Sequence, residues 1–117
     1  WYNTETAALI AELKNATDAL GGNLLDHTII PHVTEVAEPS HTRSPLPALI
    51  FGGKALGMQG GQFQNLSPLK NHNCLWVSIA QAYFRTDDPL AADGPLAEDN
   101  FVKNGVAPIP GLWAPPA

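Results

Sequence analysis

Glu35, Glu38, His41 and Arg43 form the densest set of chemically useful side chains in the sequence, and they lie between two short apolar runs. Carboxylate and imidazole together suit a divalent metal such as zinc or manganese. Glu35 and His41 are the two candidate ligands. The alternative is a polar loop held by its own hydrogen bonds. No flanking ligand triad accompanies the pair, and the one cysteine, Cys74, excludes a thiolate zinc site. Glu35 falls where the first run should end, and open α/β sheets bind ligands outside the carboxyl ends of their strands.

The other reactive residue types point to structure. His27 and His32 read as turn and strand-surface residues. His72 and Asn73 read as a helix cap, and Cys74 as a small buried apolar side chain. Ser40, Ser44 and Ser78 lie outside any GxSxG elbow. The paired glycines end strands and turns, with no helix spaced to make a phosphate cradle. GxGxxG, Walker and HExxH motifs are all absent, so no catalytic residue is assigned. Asn15 and Asn65 open formal glycosylation sequons, which are frequent by chance.

The elements that must position these residues follow from pattern. Thr4–Leu20 reads as an amphipathic helix capped by Asn3 or Thr4, with Leu9, Leu13, Ala16 and Leu20 on one stripe and Ile10 widening it. Gly21-Gly22 stops it. After a turn at Asn23–His27, Thr28–Val36 reads as a strand, demoted to an edge or a bulge by Pro31. Leu46–Phe51 is apolar throughout, as in a strand buried on both faces. Lys54–Leu69 is a glycine-broken loop or hairpin around Met58-Gln59, with a short strand at Gln62–Leu66. Asn73–Phe84 reads as a second helix. Asn71 or Asn73 caps it, Leu75, Ile79, Ala82 and Tyr83 form its apolar face with Trp76 and Val77 adding to it, and Arg85 lies near its end. The acidic stretch Asp87–Asn100 reads as the more mobile link, with few apolar anchors. The tail APIPGLWAPPA is apolar and uncharged, so Ile109, Leu112 and Trp113 are expected to be buried, against the body of the fold or a neighbouring chain.

Bulk composition fits one segment of 117 residues, divided as helix and cap (1–22), strand and helix body (23–85), and acidic link with proline-rich tail (86–117). Eleven prolines and ten glycines predict many turns. A net charge of −5 argues against non-specific nucleic-acid binding. No run is long enough for a membrane helix, and WYNTETAAL lacks the basic segment and apolar core of a signal peptide. The fold class is α/β. Two strands and two helices cannot cover a buried strand on both faces and both edges. The expectation is a chain incomplete on its own, either the end of a longer polypeptide or a subunit that docks on other protein chains.

An ordered set of segments carries a resemblance: LLDHTII, TEVAE, HTRSPLPALIFGG, GMQGGQF, NHNCLWVSIAQAY and APIPGL. From Leu24 onward they resemble the C-terminal part of the bacterial exported "domain of unknown function fifteen fifty-two" family. It is related to the "fifteen-oh-one" family, and both are placed in the alkaline-phosphatase and sulfatase-like superfamily. The resemblance implies the C-terminal portion of a layered sheet and a periplasmic or extracellular location. It implies a nucleophile and most metal ligands upstream of these residues. Glu35 matches an acidic strand-end position, but Val36 stands where the superfamily's metal enzymes carry histidine. His41 matches a histidine before an "LP" strand, and His72 matches a helix start in which Cys74 replaces an acidic residue. The expectation is a non-catalytic structural or interaction segment without a cofactor. The alternative is part of a metal-dependent phosphate- or sulfate-ester hydrolase to which this segment lends Glu35 and His41.

Overall fold

The computed structural model describes residues 1–34, 47–66, 72–97 and 106–117. It is an α/β chain of two compact units, Trp1–Gly53 and Lys54–Ala117. The division between them falls inside the stretch expected to form a single strand and helix body.

The first unit contains α1 (Tyr2–Asn15), a 3-10 turn (Leu24–His27), β1 (Ile29–Val33) and β2 (Ala48–Gly52). The helix ends five residues before Leu20, because the backbone turns extended at Ala16. Neither Asn3 nor Thr4 caps it. Trp1 holds the N-cap position without a side-chain bond, and its carbonyl accepts from the N–H groups of Thr4 and Glu5. Residues 16–24 instead close a small hairpin. Thr17 bridges Asn23, Leu24 N–H donates to Ala16 O, and Asp18 Oδ1 accepts from Leu20 N–H at 2.7 Å. Gly21 and Gly22, both at positive φ, form its turn and not the helix cap expected from sequence. Leu20 is therefore off the helical stripe and 83% exposed, while Ile10, Leu13 and Ala16 are half-buried.

The strands pair antiparallel, Ile29 with Gly52 through Val33 with Ala48. Both are shorter than the sequence suggests. Among the described residues the sheet has two strands only, so each keeps one unpaired edge. Pro31, opposite Ile50, is tolerated because such strands need not offer every N–H to a ladder. The buried central strand expected at Leu46–Phe51 is not formed over the described residues: Ala48 and Leu49 are exposed, and Ile50 and Phe51 are half-buried. Gly52 sits at φ +79, and an added Cβ would collide with the carbonyl oxygens of Thr28 and Leu25. The same Leu25 carbonyl accepts from Gly53 N–H at 3.0 Å.

The second unit holds a short 3-10 turn (Lys54–Leu56) and α2 (Asn73–Phe84). The helix limits agree with the apolar periodicity. Its buried face agrees in part: Leu75, Val77 and Ala82 are buried as expected, together with Cys74, Ser78, Ala80 and Gln81, while Ile79 and Trp76 are half-buried and Tyr83 is 75% exposed. The small Ser78 leaves room for the tail, whose Ile109 N–H reaches its Oγ. His72 is the N-cap residue but makes no side-chain cap bond. Arg85 closes the helix in the left-handed conformation at φ 54. Gln62–Leu66 forms no strand.

The described part of the acidic stretch is folded into tight turns. Pro89 is fully buried, its carbonyl accepts from Leu96 N–H, and Gln81 Nε2 donates to Asp87 O at 2.6 Å. Residues 98–105 lie outside the described ones. No helix of the described residues is long and apolar enough to cross a membrane.

Replacing Gly52 by Ala is expected to weaken the junction of hairpin and 3-10 turn by about 1–3 kcal/mol, through the left-handed backbone and the carbonyl collisions. Faster hydrogen exchange at the Gly53 amide is the measurement. An unchanged rate would show that the junction relaxes freely.

Candidate functional site

Glu35, Glu38, His41 and Arg43 lie outside the described residues, as do Val36, Ser40 and Ser44. The structure does place the anchors of their segment. Val33 pairs with Ala48 at one end of the hairpin, so the chemistry-bearing stretch joins two antiparallel strands. An antiparallel pair has no shared carboxyl edge, and the strand-end rule for parallel sheets does not apply to it. Among the described residues no group of three or more His, Cys, Asp or Glu side chains could hold a metal.

His27 in the 3-10 turn and His32 on β1, expected as turn and strand-surface residues, have specific partners. His32 on β1 meets Thr6 of α1, Nδ1 to Oγ1 at 2.9 Å. Thr6 Oγ1 also lies 3.0 Å from Tyr2 O, to which it donates. One hydroxyl carries one proton, so the donation to Tyr2 O leaves His32 Nδ1–H as donor in the other bond. Strand alternation puts His32 beside Ile30 on the face that also carries Leu49 and Phe51. That face and α1 residues Thr6, Ala7 and Ile10 line a mostly apolar open cleft. His27 Nδ1 sits 3.2 Å from Asp18 Oδ2, both side chains largely buried. The pair ties the 16–24 hairpin to the 3-10 turn.

The best-defined polar arrangement is in the second unit, where the tail lies against residues 56–64 and α2. Ile109 is buried, and its N–H donates to Ser78 Oγ at 2.7 Å. Ser78 Oγ donates in turn to Cys74 O at 3.0 Å. Gly111, at φ +73, and Pro110 form a turn closed by Leu112 N–H to Ile109 O. Leu112 O accepts from Gln59 N–H, and Ala114 N–H donates to Gly57 O. Met58 and Trp113 bridge antiparallel, and the Trp113 indole N–H donates to Leu56 O at 2.8 Å. Leu112 and Trp113 are half-buried. Sequence reasoning did not find Gln59, Gln62, Gln64 and Ser78 as partners of the tail. The glutamine spacing in GMQGGQFQ was the available signal. Cys74 is buried with a free thiol.

No family model matches the chain, and no curated protein or solved structure matches it either.

Elemental analysis of the dialysed protein is expected to return far less than one metal per chain, and His41→Ala should change nothing. A stoichiometric metal lost on that substitution would establish the Glu35–His41 site. In the second unit, Ser78→Ala leaves the Ile109 N–H buried without its acceptor and should cost about 1–3 kcal/mol. A chemical-denaturation midpoint equal to that of the unaltered chain would contradict this.

Proposed function

We propose that this chain is a non-catalytic structural or interaction segment whose first unit docks on other protein, either separate chains or further residues of its own polypeptide. One observation carries this reading. Every buried hydrophobic residue among those described belongs to the second unit: Met58, Cys74, Leu75, Val77, Ala80, Ala82, Val106 and Ile109. In the first unit α1 has no fully buried residue, and the hairpin has exposed Leu49 and, among the described residues, two unpaired edges. Tyr2 and Leu9 are also exposed. Covering such side chains is worth roughly 1.5–3 kcal/mol each, and isolated two-stranded hairpins are marginal in water. A protein surface that adds strands to the hairpin supplies both terms.

The motif order from LLDHTII to APIPGL supports an origin in an exported protein with an alkaline-phosphatase-like layered sheet, resembling the fifteen fifty-two family. A periplasmic or extracellular place follows from that resemblance. The acidic balance of the chain, −5 overall, disfavours nucleic acid as the partner.

The test is the 117-residue chain in isolation. Hydrogen exchange should leave the amides of Ile29–Val33 and Ala48–Gly52 nearly unprotected, or the chain should self-associate. A monomeric mass with one cooperative transition and strong protection of both strands would overturn the reading.

A further inference from the structure

We propose that residues 56–64 and the Ser78 face of α2 form a groove that recognises the segment Ile109–Ala114, and that the groove accepts this segment from a second copy of the chain as well as from its own. This inference concerns the second unit and does not rest on the reading of the first.

The chemistry of the segment dictates what must bind it. Within Ile109–Ala114, Pro110 has no N–H, and the carbonyls of Pro110, Gly111 and Leu112 face the groove while the N–H groups of Ile109, Ala114 and the Trp113 indole donate to it. Its partner must supply acceptors and donors together, and the groove does so. Gln62 Nε2 donates to Gly111 O at 2.8 Å, and Gln64 Nε2 donates to Pro110 O at 3.2 Å. Gln59 N–H takes Leu112 O at 2.9 Å. The two side-chain amides are tied into the groove itself: Gln62 Nε2 also reaches Gln59 O, and Gln64 Nε2 reaches Gln62 Oε1. These contacts read the carbonyls of a Pro-Gly turn. The apolar anchors are Ile109, buried behind the Ser78 hydroxyl, and the Trp113 indole on Leu56 O.

The floor of the groove is Gly57, at φ +90. An added Cβ there would collide with Ala114 O and come within 2.7 Å of Trp113 Nε1. Glycine at 57 is thus required by the tail's close approach as well as by its own backbone. Main-chain pairing plus a turn and an indole is a mode of strand addition. Nothing in these contacts depends on the groove and the tail belonging to one chain, and a second copy carries an identical segment. Exchange of an identical element is a low-cost route to association. The tail of the same chain has the advantage of a high effective concentration. Exchange therefore shows when that advantage is removed.

Two full-length variants separate the halves of the contact. Trp113→Ala spoils the tail and leaves the groove; Gly57→Ala blocks the groove and leaves the tail. Mixed, with one variant isotopically labelled, they should give a one-to-one complex in native mass spectrometry that neither forms alone. A synthetic peptide of residues 106–117 should bind the Trp113→Ala chain about tenfold or more tighter than the unaltered chain, whose groove is already filled. A scrambled peptide should not bind. No mixed complex and no peptide binding, with helical circular dichroism intact, overturns the proposal. Should a variant fail to fold, the unaltered chain carrying fluorotryptophan is titrated with the unlabelled peptide. The Trp113 resonance should move to its released position; a resonance fixed at millimolar peptide overturns the proposal.

Discussion

The buried hydroxyl of Ser78 is the contact on which the second unit depends. It is fully buried on α2, donates to Cys74 O and accepts from Ile109 N–H. A buried polar group without partners would cost a few kcal/mol. Here both roles of the oxygen are filled, one by the helix and one by the tail. Cys74, Ala80 and Ala82 of the same helix are buried, as are Val106 and Ile109 of the tail. Helix, tail and the 56–59 strip are therefore stabilised together: weakening the tail's seat exposes the hydroxyl, and losing the hydroxyl strands the Ile109 amide.

The first unit is built on a different balance. Its joints are polar: Thr6 to His32, Asp18 to His27, Asn23 Oδ1 to Asp26 N–H, and Thr28 Oγ1 to Leu24 O. Such contacts fix geometry, but the hydrogen bonds among them add only about 1 kcal/mol each net in water, and His27 Nδ1, 3.2 Å from Asp18 Oδ2, does not meet hydrogen-bond geometry. They set the register of helix, turn and hairpin without supplying the apolar burial that dominates folding. That division of labour accounts for a well-ordered set of local contacts around half-buried and exposed Leu, Ile and Phe side chains.

Local chain chemistry was legible in the sequence where a signal is itself local. Asn73–Phe84 forms the expected helix, Asn23–His27 holds the expected turn, β1 lies within its apolar run, and β2 overlaps its own and extends one residue past it to Gly52. The misreadings have different causes, one local and the others tertiary. Leu20 fits the helical stripe, yet Asp18 captures Leu20 N–H and draws the chain into a hairpin before the helix can reach it. Tyr83 fits the apolar face of α2 but is exposed, whereas Ser78, outside that apolar pattern, is buried and bonded to the tail. Leu49 reads as core because it is apolar, although the two-stranded sheet leaves it uncovered. For the candidate site, Glu35 and His41 were legible as chemistry alone. Periodicity has no way to report that their flanking strands run antiparallel.

The glutamine loop shows why polar loops are the hardest part to read. GMQGGQFQ has the look of a flexible connection, with glycines at 57, 60 and 61. Its meaning lies some fifty residues away, in a tail whose Pro110 and Gly111 turn presents carbonyls that no strand of the described residues meets. A turn of that kind cannot close a ladder on both sides, so its carbonyls must be met by side chains or by water. Gln62 and Gln64 reach across to Gly111 and Pro110, while Phe63 between them points away and is 95% exposed. The alternation Gln-Phe-Gln is thus strand-like in direction without being a strand. Its partner on one side is a set of turn carbonyls, and the ordinary period-two signal fails because the side chains that meet the tail are polar and exposed.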